Sequence, residues 1–422
     1  MRNIGCLTVY WALIYLCAPV SYVGTTHANL LKELGCSDTV SNLPSAVYQW
    51  LIVVPIVAAW WFPQPRYLKP LALIAIALKA IITAAVAALL YVGASASVLT
   101  FVVIAHGAAF GMASGMLMTV QWDLVKRGIS PQYRGRFLSA AFGLGPVFAC
   151  LGALFQDGLF DGKLLTAVDS VFDGSLFGGR SFGLPYPSNY CALFGAVAPL
   201  LLVESIAIAL YRLPDTHEPA AEENTTAAEI KAGLRQFIGN RIVWYAVLLY
   251  VLVYSGGNAI LSNVSLQAQS ETGDESNTLG IQTLLRFGAK AVIGFLLGFL
   301  LSRANPRAPL LATTGLLLAG MAWALGISGD WFLACFGLLG AGELFGAYFP
   351  NYITAASKKR FVRINLAYMN VLGFLVGFSA LAFGLISDWW GRTASFYVAS
   401  GMLLLAIVLI VQLLPAQPEQ RD

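Results

Sequence analysis

The sequence predicts an all-α integral membrane protein with twelve transmembrane helices in two pseudo-symmetric bundles of six, and three observations support this. Of 422 residues, 58% are hydrophobic and only 11% are charged, whereas soluble domains carry about a quarter charged residues. The apolar residues form successive runs of roughly 20, the length that an α-helix needs to cross a bilayer. The basic residues lie in short clusters between these runs, as in the loops of a membrane protein.

The predicted spans, numbered one to twelve along the chain, are joined mostly by short loops. Their ranges are 8–33, 40–62, 70–92, 96–122, 135–157, 189–211, 242–268, 277–302, 308–328, 331–356, 364–387 and 394–414. A polar segment divides them six and six. We therefore predict an amino-terminal bundle at 1–212, a linker at 213–240 and a carboxy-terminal bundle at 241–422.

The positive charges predict the orientation of the chain. Alternate loops carry most of the 25 basic residues, including the run from Lys358 to Arg363, while the opposite side has only Lys32, Lys163, Arg180 and Arg392. Because cytoplasmic loops are enriched in Lys and Arg, both termini are expected in the cytoplasm. An even number of spans agrees with this, and we expect a multi-pass protein of a cell inner (plasma) membrane.

Several functional classes find no support in the sequence. The three histidines are far apart, the six cysteines lack metal-ligand spacing, and no phosphate-binding loop is present. The net charge of +4 is spread over short loop clusters rather than a nucleic-acid-binding patch. We therefore expect no enzymatic activity, no metal, no cofactor and no nucleic-acid partner.

The arrangement of spans and loops resembles the major facilitator superfamily of secondary transporters over nearly the whole chain. That family has a signature Gly-x-x-x-Asp-Arg-x-Gly-Arg-Arg/Lys between spans two and three, with an echo between eight and nine. Here the echo keeps Gly298 and Arg303, but Ser302 replaces the acid, and the first copy lacks both glycine and acid. A closer match, with Gly384 and Asp388, follows span eleven.

The resemblance implies a central cavity lined by spans one, four, seven and ten, and a gate held by charged residues. For the gate on the linker side we predict a role for Asp123 and Arg134 next to span four, and for Arg303 and Arg307 in the signature echo.

Three charged residues inside predicted spans point to a functional site. Glu343 lies in span ten, and Arg286 and Lys290 are four residues apart in span eight, on one helix face. A charge at membrane depth is costly and marks functional sites, so Glu343 is a candidate for proton coupling and the two cations for binding an anionic solute. The alternative is structural, with Lys290 paired to Glu343 and Arg286 extended outward.

Uncharged polar residues complete the predicted site. Tyr22 and Thr26 in span one, Gln49 in span two and Asn258 in span seven are candidates for binding the solute, or else form hydrogen bonds between helices. His106 in span four is a second candidate for proton coupling, or else forms a hydrogen bond to a neighbouring backbone. Two further charges, Lys79 and Glu204, lie in spans three and six, which the resemblance places among supporting helices.

Together these features predict a secondary active transporter of a small polar, anionic solute that works by alternating access. We expect symport with a proton, with sodium as the alternative ion, by a monomer in a lipid bilayer. The alternatives are an efflux transporter of amphipathic compounds and a non-transporting membrane receptor on the same fold.

Overall fold

The computed structural model describes residues 2–53, 65–129, 131–162, 183–213, 234–272, 278–301, 305–358 and 361–418. Within these ranges, the side chains at 65, 119, 122–123, 126, 131–144, 295, 298–301 and 363–364 are not described. The described residues form helices and connecting turns, without a β-strand. The predicted all-helical fold class is confirmed.

The amino-terminal helices follow the predicted order of spans one to six. Span one is divided into three helices, and the described part of span two is a single helix. The ranges are Arg2–Leu16, Ala18–Ser21 and Thr25–Glu33 for span one, then Asp38–Leu51, Leu68–Tyr91, Ala96–Gly128, Pro131–Phe160 and Ser188–Leu210 for spans two to six.

The carboxy-terminal helices repeat this order, with further interruptions in spans seven, ten and eleven. Span seven contains a π-helical turn, and span ten begins with a 3₁₀ turn. The ranges are Arg241–Tyr254, Ser255–Ala259 (π) and Leu261–Thr272 for span seven, Leu279–Leu301 for eight, Ala308–Gly326 for nine, Gly329–Leu333 (3₁₀), Ala334–Gly342 and Phe345–Ala355 for ten, Val362–Leu372 and Leu375–Trp390 for eleven, and Arg392–Leu413 for twelve.

Among the described residues, eight helices are long and apolar enough to cross a membrane, namely spans three, four, six, seven, nine, ten, eleven and twelve. Spans one, two, five and eight do not meet this criterion within the described ranges. Span one is divided into shorter helices, and the other three contain positions outside the described residues. The chain is a multi-pass membrane protein.

The interruptions in spans one and seven have local causes. Gly24 has a φ of 153°, a conformation that glycine adopts without the steric cost of a Cβ, and it separates Ala18–Ser21 from Thr25–Glu33. The Thr26 hydroxyl donates to the Pro19 carbonyl across this break at 2.6 Å. In span seven, the π turn contains two adjacent glycines, and π turns are frequent at functional sites.

The buried apolar side chains form two main clusters. One draws on span one and on spans three to six, together with Leu279, and the other on residues 237–414 together with Ala46 of span two. The two sets of helices meet along a seam formed by spans one, two and five on one side and spans seven, eight and eleven on the other. We refer to the end of the bundle that carries residues 212 and 241 as the linker end, and to the opposite end as the far end.

Candidate functional site

The charged residues predicted in spans eight and ten meet in one buried cluster, here called the triad: Arg286, Lys290 and Glu343. Arg286 Nε lies 2.6 Å and its Nη2 2.5 Å from Glu343 Oε1, and Lys290 Nζ lies 2.5 Å from Oε2. Each carboxylate oxygen therefore has its own cationic partner. Glu343 lies at the junction of two helices of span ten, Ala334–Gly342 and Phe345–Ala355.

Close packing of spans eight and ten brings the triad together. A Cβ on Gly340 would lie 2.1 Å from the Arg286 carbonyl oxygen, so only glycine permits this approach of the two backbones. Arg286 is 7% exposed and Glu343 8%. The four-residue spacing of Arg286 and Lys290 then directs both side chains at the same carboxylate.

The triad carries one positive charge more than negative charge. Burying ions is costly, and pairing compensates most of that cost only where the geometry is good. Two cations share one carboxylate here, so the cluster retains a net attraction for an anion. Lys290 pairs with Glu343, as in the structural alternative, but Arg286 does not extend outward as that alternative requires; it binds the same carboxylate.

A side chain from the amino-terminal helices contacts the triad across the seam. The Tyr22 ring centroid lies 5.6 Å from Arg286 Cζ and 5.8 Å from Lys290 Nζ. Phe287 meets Tyr22 edge to face at 5.1 Å and lies 5.0 Å from Lys290 Nζ. Aromatic faces at these distances attract cations. The triad itself belongs to the carboxy-terminal helices, and its aromatic surroundings come from both sets of helices.

Three other predicted solute-binding residues are engaged in hydrogen bonds. Asn258 in the π turn of span seven lies 3.4 Å from Glu343 Oε1, a long contact. Gln49 donates to the Tyr254 hydroxyl at 2.8 Å, which joins span two to span seven. Thr26 is 1% exposed, holds the break in span one, and accepts a 3.3 Å hydrogen bond from Gln156.

His106 lies inside the amino-terminal set of helices. Its Nδ1 lies 2.9 Å from His27 Nε2, and its Nε2 lies 3.1 Å from the Thr83 hydroxyl. The ring stacks on Phe110 at 4.2 Å. The pairing of the two histidines could not be predicted from the sequence, because they are 79 residues apart in chain order.

The predicted gate residues at the linker end are only partly described. The side chains of Asp123, Arg134 and Arg303 lie outside the described residues. Arg307 Nη1 donates to the carbonyl oxygens of Val411 and Leu414 at 3.2 and 3.0 Å, so it holds the end of span twelve. Its gating role stays a prediction.

An ionic cluster at the far end, which we call the far-end clasp, was not predicted as a gate. Arg392 binds Asp38 through two nitrogens, Nε at 2.8 Å and Nη2 at 3.1 Å, and Lys32 Nζ lies 2.6 Å from the same carboxylate. Asp388 accepts the backbone N–H groups of Asp38 and Thr39 at 2.8 and 2.9 Å. An acid at this position interacts favourably with the amino terminus of span two.

The hydrogen bonds of the clasp act on the ionisation of Asp38. Burial raises the pKa of this carboxyl, but the hydrogen bonds and charges of Arg392 and Lys32 outweigh burial and hold the pKa below its ordinary value. The carboxylate is therefore the form that holds the clasp together. A signal for the clasp was present in the sequence, because Asp388 and Arg392 belong to the signature-like stretch after span eleven.

Close packing and uncharged hydrogen bonds reinforce the clasp. Asn42 donates to Asn263 Oδ1 at 2.6 Å, and Asn29 donates to the Ser265 hydroxyl at 2.8 Å. A Cβ on Gly384 would lie 2.7 Å from the Thr39 Cα. Spans one, two, seven and eleven therefore hold the far end of the seam closed.

Two hollows among the described residues lie away from the triad. One is lined by Trp323 and Trp331 and their neighbours near the far end, and the other by apolar residues of spans eight, nine and ten. Neither lining includes a charged side chain.

Comparison with solved structures identifies the fold. No protein-family model and no curated protein matches the chain. A D-xylose-proton symporter aligns with a TM-score of 0.69 and 14% identity over 99% of each chain. A bacterial homolog of the human lysosomal transporter Spinster, in an inward-facing and unoccupied conformation, aligns at 0.66 and 15% over 99% of this chain and 98% of that chain.

A third structure carries the family name itself. A major facilitator superfamily transporter, FucP, in the outward conformation aligns with a TM-score of 0.55 and 15% identity over 98% of this chain and 99% of that chain. Similarity at this level of identity reports the arrangement of helices rather than the solute. The chain has the twelve-helix fold of the major facilitator superfamily.

Proposed function

We propose that this protein is a secondary active transporter that moves a small polar anion across the membrane together with a proton. The observation that carries the proposal is the buried triad at the seam, where two cations share a single carboxylate. A permanent structural pair needs one cation for each anion, and the second cation adds desolvation cost. The additional positive charge is useful if an anion visits the site.

The triad provides a simple coupling chemistry. A proton that binds a Glu343 carboxylate oxygen removes its negative charge, so Arg286 and Lys290 lose their shared partner. A carboxylate or phosphate of the solute then accepts their hydrogen bonds, which are strong because both partners are charged. When the solute leaves, Glu343 releases its proton and pairs with the cations again. Proton and anion are therefore taken up and released together.

The position of the triad suits alternating access. Tyr22 reaches the cations from the amino-terminal helices and Phe287 from the carboxy-terminal helices, so relative motion of the two bundles changes the surroundings of a bound solute. The far-end clasp holds one side of the seam closed. Opening of the clasp exposes the triad to the far end, and solute and proton shift the populations of the two states.

The solved structures that align with this chain are named as transporters, which supports a transport function. One is a proton symporter for D-xylose and another is a homolog of a lysosomal transporter. We extend to this chain only the transport of a small solute, because a shared fold does not determine the substrate. Both termini lie in the cytoplasm in this proposal, as the loop charges predict, and the protein acts as a monomer in the bilayer.

Reconstitution in sealed vesicles tests the proposal. We first screen the purified protein by thermal shift against carboxylates, phosphorylated solutes, sugars, amino acids and lipophilic cations, because a ligand that binds only the folded state raises the melting temperature. We expect anions to stabilise the wild type and the exposed control Arg66→Ala, but not Arg286→Ala or Lys290→Ala. Stabilisation by neutral or cationic compounds that persists in both triad variants contradicts anion binding.

Flux measurements with the anion found in that screen complete the test. We expect an inward proton gradient to drive accumulation in wild-type vesicles, and Glu343→Gln to retain exchange of solute while accumulation is lost. Unchanged accumulation in Glu343→Gln excludes this carboxylate as the coupling site. If the anion binds the protein but no flux is measured, the transport proposal is wrong, and the protein is a receptor on the same fold.

A further inference from the structure

A second buried ionisable cluster lies within the amino-terminal helices and takes no part in the proposed transport site. Glu204 in span six is fully buried, and neither carboxylate oxygen has a hydrogen-bond partner among the described residues. Lys79 in span three is 6% exposed and faces the same interior. Tyr10 in span one is also buried, and its hydroxyl likewise has no partner in the described part of the chain.

These groups interact through space. Glu204 interacts electrostatically with Lys79 of span three. It also interacts electrostatically with Tyr10 and Cys17 of span one. Span six packs against spans one and three and, at fewer positions, against span five. Lys79, Tyr10 and Cys17 are the titratable groups of spans three and one that interact with Glu204, and span five carries the buried Asp157. Lys79 also acts on His106, which is linked to Thr83 and His27.

This arrangement differs from a structural ion pair. Structural pairs in a protein interior have short contacts and additional hydrogen bonds that satisfy the remaining oxygens. Glu204 has neither among the described residues, although buried polar groups are nearly always paired. An ionised carboxylate in such a place is costly, and a proton on one oxygen removes that cost and adds a donor.

We infer that the amino-terminal helices contain a proton-binding site centred on Glu204, separate from the triad. Lys79 is the charged neighbour whose electrostatic interaction with Glu204 depends on whether Glu204 is protonated. A proton from solution binds a carboxylate oxygen of Glu204 to form the neutral acid, and returns to solution when the carboxylate forms again. No other bond is made or broken.

Span one gives this site a route to the transport machinery. The same span carries Tyr10, which interacts with Glu204, and, beyond the break that follows Leu16, Tyr22 at the triad. A change in the charge of Glu204 therefore acts on a span that contacts Arg286 and Lys290 further along its length. The inference concerns proton binding itself and does not depend on the identity of the transported solute.

Infrared difference spectroscopy of the reconstituted full-length protein tests the inference. A protonated carboxyl has a C=O stretching band that its carboxylate lacks, and we follow this band from about pH 4 to about pH 10, the range between ordinary acid and lysine titration. We expect a pH-responsive band that is absent in Glu204→Gln, retained at a shifted frequency in Glu204→Asp, and retained in Glu343→Gln. The last variant separates this site from the proposed coupling carboxylate.

A matched pair of lysine variants tests the assigned neighbour. Lys79→Met removes the buried charge that faces Glu204, so the pH midpoint of the Glu204 band should move. Lys69→Met, at the linker end of the same helix, should leave the midpoint unchanged. Melting curves first establish that Glu204→Gln and Glu204→Asp both fold. The inference is overturned if the folded Glu204→Gln variant keeps the carboxyl band. It is also overturned if the band of the wild type does not respond to pH.

Discussion

Glu343 and Glu204 are both glutamates inside the helical bundle, but their surroundings differ. Glu343 lies at the seam and binds one cation with each oxygen. Glu204 lies within the amino-terminal helices, and its oxygens have no hydrogen-bond partner in the described residues. Burial alone therefore does not define the role of an acid in a membrane protein. The partners decide whether loss of the charge leaves other groups uncompensated.

The largest expected effect follows from removing the better-paired acid. Glu343→Gln leaves Arg286 and Lys290 buried without a counter-charge, and breaking a buried ion pair costs about 3–5 kcal/mol. Glu204→Gln breaks no hydrogen bond among the described residues and leaves only Lys79 without a nearby opposite charge, so its cost should be smaller. Thermal melting in the same detergent, with denaturant titration where it is reversible, compares the two variants directly.

A double variant checks the reason for this difference. Lys290→Met in the Glu343→Gln background removes one of the two uncompensated cations, so it should recover part of the lost stability. If the double variant is less stable than Glu343→Gln alone, the cost does not come from unpaired positive charge, and the proposed electrostatics of the triad are wrong.

The sequence predicted the helices, and it predicted that Arg286 and Lys290 share one helix face, for physical reasons. Apolar runs of bilayer length and the alternation of basic loops define the spans, and the four-residue spacing of Arg286 and Lys290 places them on one face. The rotation of a helix in lipid is not encoded so directly. That both cations converge on Glu343 follows from the close approach at Gly340, which a single sequence does not reveal.

The far-end clasp shows why other parts of the site were missed. Asp38 and Arg392 are 354 residues apart, so their pairing depends on the docking of one bundle against the other. The signature-like stretch after span eleven marked Asp388 and Arg392, but it did not indicate that they bind the start of span two. Likewise, the break at Gly24 arises from its backbone conformation, and the surrounding apolar residues predict a continuous helix instead.

The next expected effect concerns the packing of the clasp. Gly384→Ala places a Cβ against the backbone of Thr39, 2.7 Å from its Cα, and overpacking of this kind costs about 1–3 kcal/mol. Because the clash exists only while the bundles are closed at the far end, we expect a shift towards opening of that end rather than unfolding. Distances between spin labels on spans two and eleven measure this population.

Gly401→Ala in span twelve is the matched control for this substitution. A Cβ at Gly401 has no atom within 4 Å, so this variant should keep the wild-type distances. Equal behaviour of the two alanine variants shows that the approach of Gly384 to Thr39 does not hold the far end closed.

A smaller effect on the closure of the far end is expected when the negative charge of Asp38 in the clasp is removed. Asp38→Asn weakens hydrogen bonds from Arg392 and Lys32, and we expect a loss of about 1–2 kcal/mol from the closed far end, because partly exposed charges contribute less than buried ones. In the wild type the pKa of Asp38 is lowered. Closure should therefore be complete above about pH 4 and be lost as the pH falls through this lowered pKa.

The exposed carboxyl of Asp330 provides the control for the clasp. It lies at the same end of the molecule, and no ion pair to it is present in the described part of the chain. Asp330→Asn should leave the label distances and their pH dependence as in the wild type. Opening that begins as the pH rises, instead of as it falls, contradicts the assignment to an ionised Asp38.

The smallest expected effect concerns Tyr22, the side chain that connects the amino-terminal helices to the triad. Tyr22→Phe keeps the ring over both cations and loses only the hydroxyl, so anion affinity should change by less than about 1 kcal/mol. Tyr22→Leu removes the aromatic face, and loss of a desolvated cation–π contact costs about 2 kcal/mol. Calorimetric titration with the stabilising anion distinguishes the two. An equal loss in Tyr22→Phe and Tyr22→Leu assigns the contact to the hydroxyl, which would then bind the solute directly, and the ring would serve only to place it between the bundles.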